Sequence, residues 1–269
     1  MKNLMKMMTV AAATLALTGC VGVSFERDLS SVVNMGVTAG PAVPAGGVTV
    51  TREYANEGWD RLFITWRDGG GVIGTAPTQM LSNIDVWISP YNRPTTFEID
   101  GMHSEHVAVI QNGRDLEIRF DGTVLDLRNA LRIEVGTDQI SYIRNVLGNV
   151  LSDGTLRGDE LTIRSTGLGD THLELAVNVV DVETTGLGNV ILSGTAEEVI
   201  VNAVGMGNLE LARLIAREVT VTKTGMGAVE VHATERFTSR ATGMGSVIYY
   251  GNPPYTNINN TGMVSTQSR

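Results

Sequence analysis

Two glutamates and a histidine in the C-terminal half could take part in acid–base chemistry. Glu210 and Glu230 each lie three residues after the second glycine of a recurring Gly-x-Gly phrase, and His232 follows Glu230 by two residues. If the phrases stack, the two carboxylates lie ~5 Å apart on one outward face. His172 takes the same position two repeats before Glu210. Paired carboxylates cleave glycosidic bonds, so a glycan-cleaving site is one hypothesis, and a solvated acidic face with no substrate-clamping Arg or Lys is the other.

Two further groups of residues have the types that bind metal ions. Asp170 ends a Gly-x-Gly-Asp phrase like those of calcium-binding β-rolls, but such rolls repeat about every nine residues and keep an acid in each turn. His103, Glu105 and His106 lie close in sequence. They lack the HExxH spacing of a zinc helix, and in a strand residues three apart face opposite sides. We therefore predict no metal site and no cofactor.

The Gly-x-Gly phrase recurs at intervals of 18 to 20 residues, which is typical of an array of stacked units. Each phrase is expected to form a sharp turn that needs either a positive φ or a close backbone approach. The Leu or Met between the glycines, including Met206, Met226 and Met244, is expected to fill the corner of the core rather than a metal site. The turn glycines are Gly167, Gly169, Gly186, Gly188, Gly205, Gly207, Gly225, Gly227, Gly243 and Gly245.

Alignment of the phrases produces apolar columns that alternate with polar ones. One inward column, eight residues before the second glycine, contains Leu161, Val180, Val199, Val219 and Phe237. Each repeat therefore has two short strands with apolar residues inward, and only stacking can bury them. We predict an all-β protein, a right-handed parallel β-helix with coils of about 19 residues, preceded by an irregular β segment.

Polar columns follow the same register. Residues directly after the second glycine are expected to form a hydrogen-bonded ladder from coil to coil, namely Asn149, Asp170, Asn189 and Asn208. Two outer columns are suited equally to ligand contact and to plain solvation. The first contains Thr162, Asp181, Ile200, Thr220 and Thr238. The second contains Arg164, Glu183, Asn202, Thr222 and Arg240. Arg164 and Glu183 are expected to form a surface ion pair.

The N-terminus has the features of a lipoprotein signal peptide. Lys2 and Lys6 precede an apolar run, Met7–Leu17, that is too short to span a bilayer. The run ends in Leu-Thr-Gly-Cys, which resembles the bacterial lipobox, so Cys20 is predicted to be lipidated. Val21 replaces the aspartate that retains such proteins in the inner membrane, which favours the outer membrane.

We divide the chain into five segments. They are a signal peptide (1–19), a lipid anchor and linker (20–47), an N-terminal β region (48–135), the repeat β-helix (136–264) and a tail (265–269). Pro253 and Pro254 are expected to end the last complete coil, and the tail is expected to fray.

The repeated Gly-x-Gly-[Asp/Asn] phrases and the closing stretch Gly243–Pro253 resemble the auto-transporter adhesin head GIN domain family, over about residues 108–263. The resemblance implies a β-helical, surface-exposed bacterial protein, often a lipoprotein, with no established catalytic residues. The chain departs from the family in having Leu or Met between the glycines, and in having Ala228 and Ser246 in the Asp/Asn column.

Function is predicted to be non-enzymatic. We expect a lipid-anchored cell-envelope protein that acts as a scaffold or as an adhesin-like surface for an unidentified glycan or protein. A glycan-cleaving β-helix enzyme is the alternative. The net charge of −9 argues against a nucleic-acid partner, whose phosphates attract basic proteins. Membrane contact is expected through the N-terminal lipid.

Overall fold

The computed structural model describes residues 26–28, 49–54, 58–67, 84–100, 106–121 and 131–269. Nearly all of these residues lie in strands, which form a β-solenoid of about seven turns with roughly 19 residues per turn. The described residues include no helix that is long and apolar enough to cross a membrane. The strands are β1 (Glu26–Asp28), β2 (Thr49–Tyr54), β3 (Arg61–Arg67), β4 (Ile84–Ser89), β5 (Thr95–Asp100), β6 (Val107–Asn112), β7 (Asp115–Asp121), β8 (Leu131–Gly136), β9 (Tyr142–Asn145), β10 (Asn149–Ser165), β11 (Thr171–Thr184), β12 (Val190–Ala203), β13 (Leu209–Lys223), β14 (Ala228–Tyr250) and β15 (Tyr255–Ser268).

The C-terminal half is a regular parallel stack. Strands β10 to β15 pair in chain order, and each coil lies directly on the preceding one. The inward column predicted from the sequence is continuous, because Leu161 pairs with Val180, Val180 with Val199, Val199 with Val219, and Val219 with Phe237. All five side chains are at most 1% exposed. The prediction of a parallel β-helix is therefore confirmed.

The N-terminal coils belong to the same stack but do not follow chain order. Strand β3 lies between β7 and β9, and β4 lies between β8 and β10, in each case with parallel pairing. The coil of β3 and β4 is thus inserted between the later coil of β7 and β8 and the regular repeats. Beyond β7 and β8, β5 pairs antiparallel with β8 and β2, and β6 forms an antiparallel hairpin with β7. The outermost strand β1 pairs in parallel with β2.

Close contact between backbones explains the glycine corners. A Cβ atom on Gly167 would lie 1.6 Å from the carbonyl oxygen of Val146, and one on Gly207 would lie 2.0 Å from that of Gly188. A Cβ atom would lie less than 3.0 Å from a backbone oxygen at each of the ten turn glycines. Only Gly227, Gly243 and Gly245 also have a positive φ, of 98°, 107° and 104°. All ten positions therefore need glycine because the backbone of the neighbouring coil approaches closely. Only the three in the last coils also need it because their φ is positive.

The residue between the two glycines does not fill the core, so that prediction is wrong. Leu187 is 49% exposed, Met206 is 52% exposed, and Met226 and Met244 are each 43% exposed. Only the first member, Leu168, packs partly against the core. The inner side of the corner is already occupied by buried residues that precede the phrase, which are Ser165, Thr184, Ala203, Lys223 and Ala241. The residue between the glycines therefore points outward.

The stack continues beyond Pro253 and Pro254, contrary to the prediction that it ends there. Strand β15 pairs with β14 from Tyr255 opposite Arg236 to Ser268 opposite Tyr249. Residues 265–268 are therefore paired, and the prediction of a frayed tail is also wrong. The two prolines lie in the connection between the strands, where no ladder hydrogen bond is needed.

Polar side chains cover the open end of the last coil. Asn260 lies over the buried Ala241, and Thr266 lies over the buried Val247. The amide Nδ2 of Asn260 donates a hydrogen bond to Thr266 Oγ1 at 2.9 Å. Terminal units of repeat proteins need such polar residues at otherwise apolar positions.

A buried lysine connects two successive corners. Lys223 is 1% exposed, and its ammonium group donates hydrogen bonds to the carbonyl oxygens of Gly225 at 2.7 Å and Met244 at 2.6 Å. Burial lowers the pKa of Lys223 below its ordinary value of 10.5.

The stability contributed by Lys223 is expected to depend on pH. Between the lowered pKa of the folded state and 10.5, the unfolded chain binds more protons than the folded chain, so the free energy of unfolding rises with pH. Urea unfolding of the wild type and of Lys223→Met across this alkaline range should therefore diverge in favour of the wild type as the pH rises. A stability difference that stays constant over the range would contradict this prediction.

Candidate binding face

One outer face of the solenoid carries two parallel rows of side chains. We call the first the ladder row and the second, two residues later in each strand, the central row. Equivalent residues on neighbouring strands lie ~4.8 Å apart, which gives both rows a regular spacing. The ladder row contains Asp85, Asn149, Asp170, Asn189 and Asn208. The central row contains Trp87, Leu151, His172, Ile191, Glu210 and Glu230.

The ladder row joins each coil to the next through side-chain oxygens. Asn149 Oδ1 accepts a hydrogen bond from the backbone N–H of Asp170 at 3.1 Å, and Asp170 Oδ1 accepts one from Asn189 at 2.7 Å. Asn189 and Asn208 repeat the contact with the N–H groups of Asn208 and Ala228, both at 2.9 Å. The predicted ladder is confirmed, and its acceptors satisfy backbone donors at the corner.

The ladder extends to one residue that the repeat alignment missed. Asn149 Nδ2 donates a hydrogen bond to Asp85 Oδ1 at 2.9 Å. Asp85 lies in β4, which has no Gly-x-Gly phrase and precedes Asn149 by 64 residues. The sequence signal that could have identified Asp85 is its spacing: a polar residue followed two positions later by a large apolar one, Trp87, as Asn149 is followed by Leu151.

Asn189→Ala is expected to lower the free energy of unfolding by about 1 kcal/mol. The substitution removes the acceptor for the Asn208 N–H group and the amide that donates to Asp170 Oδ1 at 3.2 Å. Urea unfolding followed by circular dichroism measures the change. Asn178→Ala is the matched control, because this exposed amide donates to the Asp159 carboxylate at 3.3 Å and lies outside the ladder row. Equal effects of the two substitutions would contradict a structural role for the ladder.

The acidic end of the central row brings together the predicted acid–base residues. Glu210 and Glu230 are direct register partners, with backbones ~4.8 Å apart. Tyr250, which the sequence analysis missed, donates a hydrogen bond from its hydroxyl to Glu230 Oε2 at 3.2 Å. The ring of Tyr250 lies 6.4 Å from that of His232, whose Nδ1 is 3.3 Å from the Ala212 carbonyl oxygen.

The other end of the central row is apolar and aromatic. Trp87 and Leu151 are partly exposed register partners. The guanidinium of Arg132 stacks over the Trp87 ring at 4.4 Å and donates from Nε to Glu134 at 2.8 Å. His172 and Ile191 lie between this end and Glu210, so His172 shares the row with the acidic pair without reaching it.

A second outer face has the polar columns predicted from the alignment. Thr162, Asp181, Ile200, Thr220 and Thr238 are register partners in successive coils. In the next column the predicted ion pair forms between Arg164 and Glu183, whose side chains are 42% and 38% exposed. This face combines hydroxyl groups with the charged side chains of Asp181, Arg164 and Glu183 and the aliphatic Ile200.

The residues considered as metal ligands do not form a metal site within the described part of the chain. There, no group of three or more His, Cys, Asp or Glu side chains is placed to hold a metal ion. The carboxylate of Asp170 is used in the ladder. His103, Glu105 and Cys20 lie outside the described residues, as does the predicted signal peptide.

Solved structures share this fold at low sequence identity. A "putative adhesin" from Bacteroides fragilis NCTC 9343 has 21% identity and a TM-score of 0.71, over 83% of this chain and 98% of that chain. A "putative adhesin" from Parabacteroides distasonis ATCC 8503 has 20% identity and a TM-score of 0.54, over 82% and 97%. A "putative lipid binding protein" from the same organism has 16% identity and a TM-score of 0.55, over 82% and 97%.

Sequence comparison identifies the family. No curated protein matches the chain. The family model described as "Putative auto-transporter adhesin, head GIN domain" matches residues 94–253, which is more than half of the sequence. The match covers strands β5 to β14. The chain therefore belongs to the auto-transporter adhesin head GIN domain family.

Proposed function

We propose that this protein is a lipid-anchored, non-enzymatic adhesin of the bacterial cell envelope, and that the face formed by the ladder and central rows is its binding surface. Membership of the head GIN family and the fold shared with proteins described as adhesins support the adhesin-like role. Anchoring through Cys20 at the outer membrane rests on the lipobox-like sequence.

The observation that carries the proposal is the periodicity of this face. Its side chains repeat every ~4.8 Å over successive strands and change gradually from Trp87 and Leu151 to Glu210 and Glu230. Aliphatic and aromatic surface next to hydrogen-bonding amides and carboxylates matches the mixed apolar and hydroxyl surface of a sugar chain. A polysaccharide, itself a linear repeat, is the ligand class that such a row fits best.

One strand provides a matched pair of variants to test this proposal. Ile191 and Ile200 are both outward, partly exposed residues of β12, but Ile191 lies in the central row and Ile200 lies on the second face. We expect the purified protein to bind members of a glycan array, Ile191→Ser to weaken that binding by about tenfold, and Ile200→Ser to leave it unchanged. Equal effects of the two variants, or no binding to glycans or to intact cells, would overturn the proposed binding face.

The lipid anchor has a separate test. Cells that express the wild type are expected to hold the protein in the membrane fraction, with an acylated N-terminal peptide detectable by mass spectrometry. Cys20→Ser should release it to the soluble fraction. Surface protease treatment of intact cells then reports the membrane side. Retention of Cys20→Ser in the membrane would contradict lipidation as the anchor.

A glycan-cleaving enzyme is the second candidate, and the register of Glu210 with Glu230 favours it. Neighbouring strands place the two backbones ~4.8 Å apart, a spacing from which the carboxyl groups could reach the separation of about 5–5.5 Å found in retaining glycosidases. Turnover of envelope polysaccharides that disappears in Glu210→Gln or Glu230→Gln would establish catalysis. Binding without turnover, unchanged in both variants, would leave the non-enzymatic role.

A further inference from the structure

The outward residues of the glycine corners form a row that the binding face does not use. Met206, Met226, Met244 and Met263 take equivalent positions in four successive coils, and we call them the methionine row. Their side chains are 52%, 43%, 43% and 74% exposed. Leu187 precedes them in the adjacent coil. Large apolar side chains aligned at the surface over several coils mark an interaction site more often than isolated ones do.

The use of methionine in this row is selective. The chain has 11 methionines, and the four in this row are all those within the described residues. The core there is built of Leu, Ile, Val, Phe, Trp and Ala side chains. Methionine is therefore absent from the described interior, where its flexibility usually fills gaps, and is concentrated where its sulfur faces solvent. This distribution favours a role for the thioether itself.

The spacing of the row suits a metal ion bound between two sulfurs. Met244 pairs in register with Met263, and the Met206 N–H donates to the Gly186 carbonyl oxygen of the coil beneath at 3.1 Å. Coils therefore follow at ~4.8 Å. Sulfurs of two flexible side chains on coils at this spacing can approach one ion from opposite sides. The three rotatable bonds of each side chain allow a third sulfur to approach the same ion.

We propose that the methionine row binds a soft monovalent cation, Cu(I) or Ag(I), through its thioether sulfurs. Thioethers are neutral and polarisable, so they prefer soft ions over Mg²⁺, Ca²⁺ or Zn²⁺. The ion is held without change of oxidation state. The nearest buried charge, Lys223, lies on the inner side of the corner, where the carbonyl oxygens of Gly225 and Met244 hold its ammonium group.

The test uses the whole 269-residue chain with Cys20→Ser, which removes its one thiol. Ag(I) binding is measured by calorimetry in chloride-free buffer, and Cu(I) binding by anaerobic competition with a chromophoric chelator. A fourfold variant keeps the apolar surface and removes only the four thioethers; it carries Met206→Leu, Met226→Leu, Met244→Leu and Met263→Leu. We expect this variant to lose about tenfold or more in affinity for both ions. Equal binding by the two proteins, or no binding by the parent, would overturn the proposal.

Two single variants test the geometry independently of the fourfold variant. Met226→Leu interrupts the row and should weaken binding, whereas Leu187→Met lengthens it and should raise the affinity or the number of bound ions. The ε-methyl resonances of ¹³C-labelled methionine should shift on Ag(I) addition for the row residues. Binding that is unaffected by both variants, or shifts confined to other methionines, would contradict a site at the corner.

Discussion

Gly207→Ala is expected to lower the free energy of unfolding by about 3 kcal/mol, at the upper end of the usual cost of overpacking. The added methyl group would lie 2.0 Å from the carbonyl oxygen of Gly188 and 3.0 Å from that of Leu187. Both contacts are with backbone, which cannot rotate away as a side chain could. The coils must separate locally, which weakens the corner hydrogen bonds that join them. Urea unfolding monitored by circular dichroism measures the change.

Gly113→Asn is the control for this prediction. Gly113 has a φ of 60°, and a Cβ atom there would meet nothing within 4 Å. Asn tolerates the left-handed region, so the substitution should cost little. The contrast separates backbone crowding, which applies at Gly207, from backbone conformation, which applies at Gly113. Similar stability of the Gly207→Ala variant and the wild type would show that the coils do not approach so closely.

Asp60→Ala is expected to lower the free energy of unfolding by about 2–3 kcal/mol, because it removes hydrogen bonds to a buried charged group. Asp60 is 8% exposed. Its carboxylate accepts hydrogen bonds from Arg114, with Nε at 2.9 Å, and from Ser141 Oγ at 2.8 Å. Its backbone carbonyl oxygen accepts from the N–H of Ser141 at 2.8 Å, and its N–H donates to the Arg114 carbonyl oxygen at 3.1 Å. The residue thus joins the β6–β7 turn to the segment before β9.

The contribution of Asp60 should be lost in acid. Burial alone raises the pKa of Asp60, but the hydrogen bonds from Arg114 and Ser141 and the charge of Arg114 outweigh it and hold the pKa below the ordinary 3.8. Above 3.8 the stabilisation is complete, and it disappears as the pH falls through the folded-state pKa. The stability difference between the wild type and Asp60→Asn should therefore shrink in this acidic range.

Asp159→Ala is the control for Asp60, since Asp159 is exposed and accepts a hydrogen bond from the exposed Asn178 amide. Its effect on stability should be small at neutral pH. If Asp60→Ala is no more destabilising than Asp159→Ala, Asp60 does not hold the β6–β7 turn against the stack.

The regular coils could be predicted from the sequence because register partners recur at a nearly constant distance along the chain. Val180 and Val199, for example, are 19 residues apart and stack directly. The same alignment placed Glu210 beside Glu230 and predicted the ladder row. It missed Asp85, Trp87 and Tyr250. Asp85 and Trp87 belong to a coil that has no Gly-x-Gly phrase. Tyr250 contacts Glu230 of the preceding coil through its side chain, which a backbone alignment does not show.

The direction of the corner residues could not be predicted from the pattern alone. An apolar residue between two glycines fits an inward column as well as an outward one, because glycine has no side chain to show which side is buried. The space inside the corner decides between them, and Lys223 and Ala241 already occupy it. The role of the last strand could not be predicted from the pattern either. Asn260 and Thr266 have the polarity of a solvated tail, but in the structure they form a hydrogen bond with each other across the end of the core.

The sequence by itself determined the parallel stack, its period and its apolar columns, because these depend on local alternation and on spacing along the chain. Only the tertiary structure decided the order of the N-terminal coils, since β3 and β4 find their partners through non-local pairing with β7, β8, β9 and β10. It also decided that the thioethers face solvent, because backbone contact between coils leaves no room inside the corner.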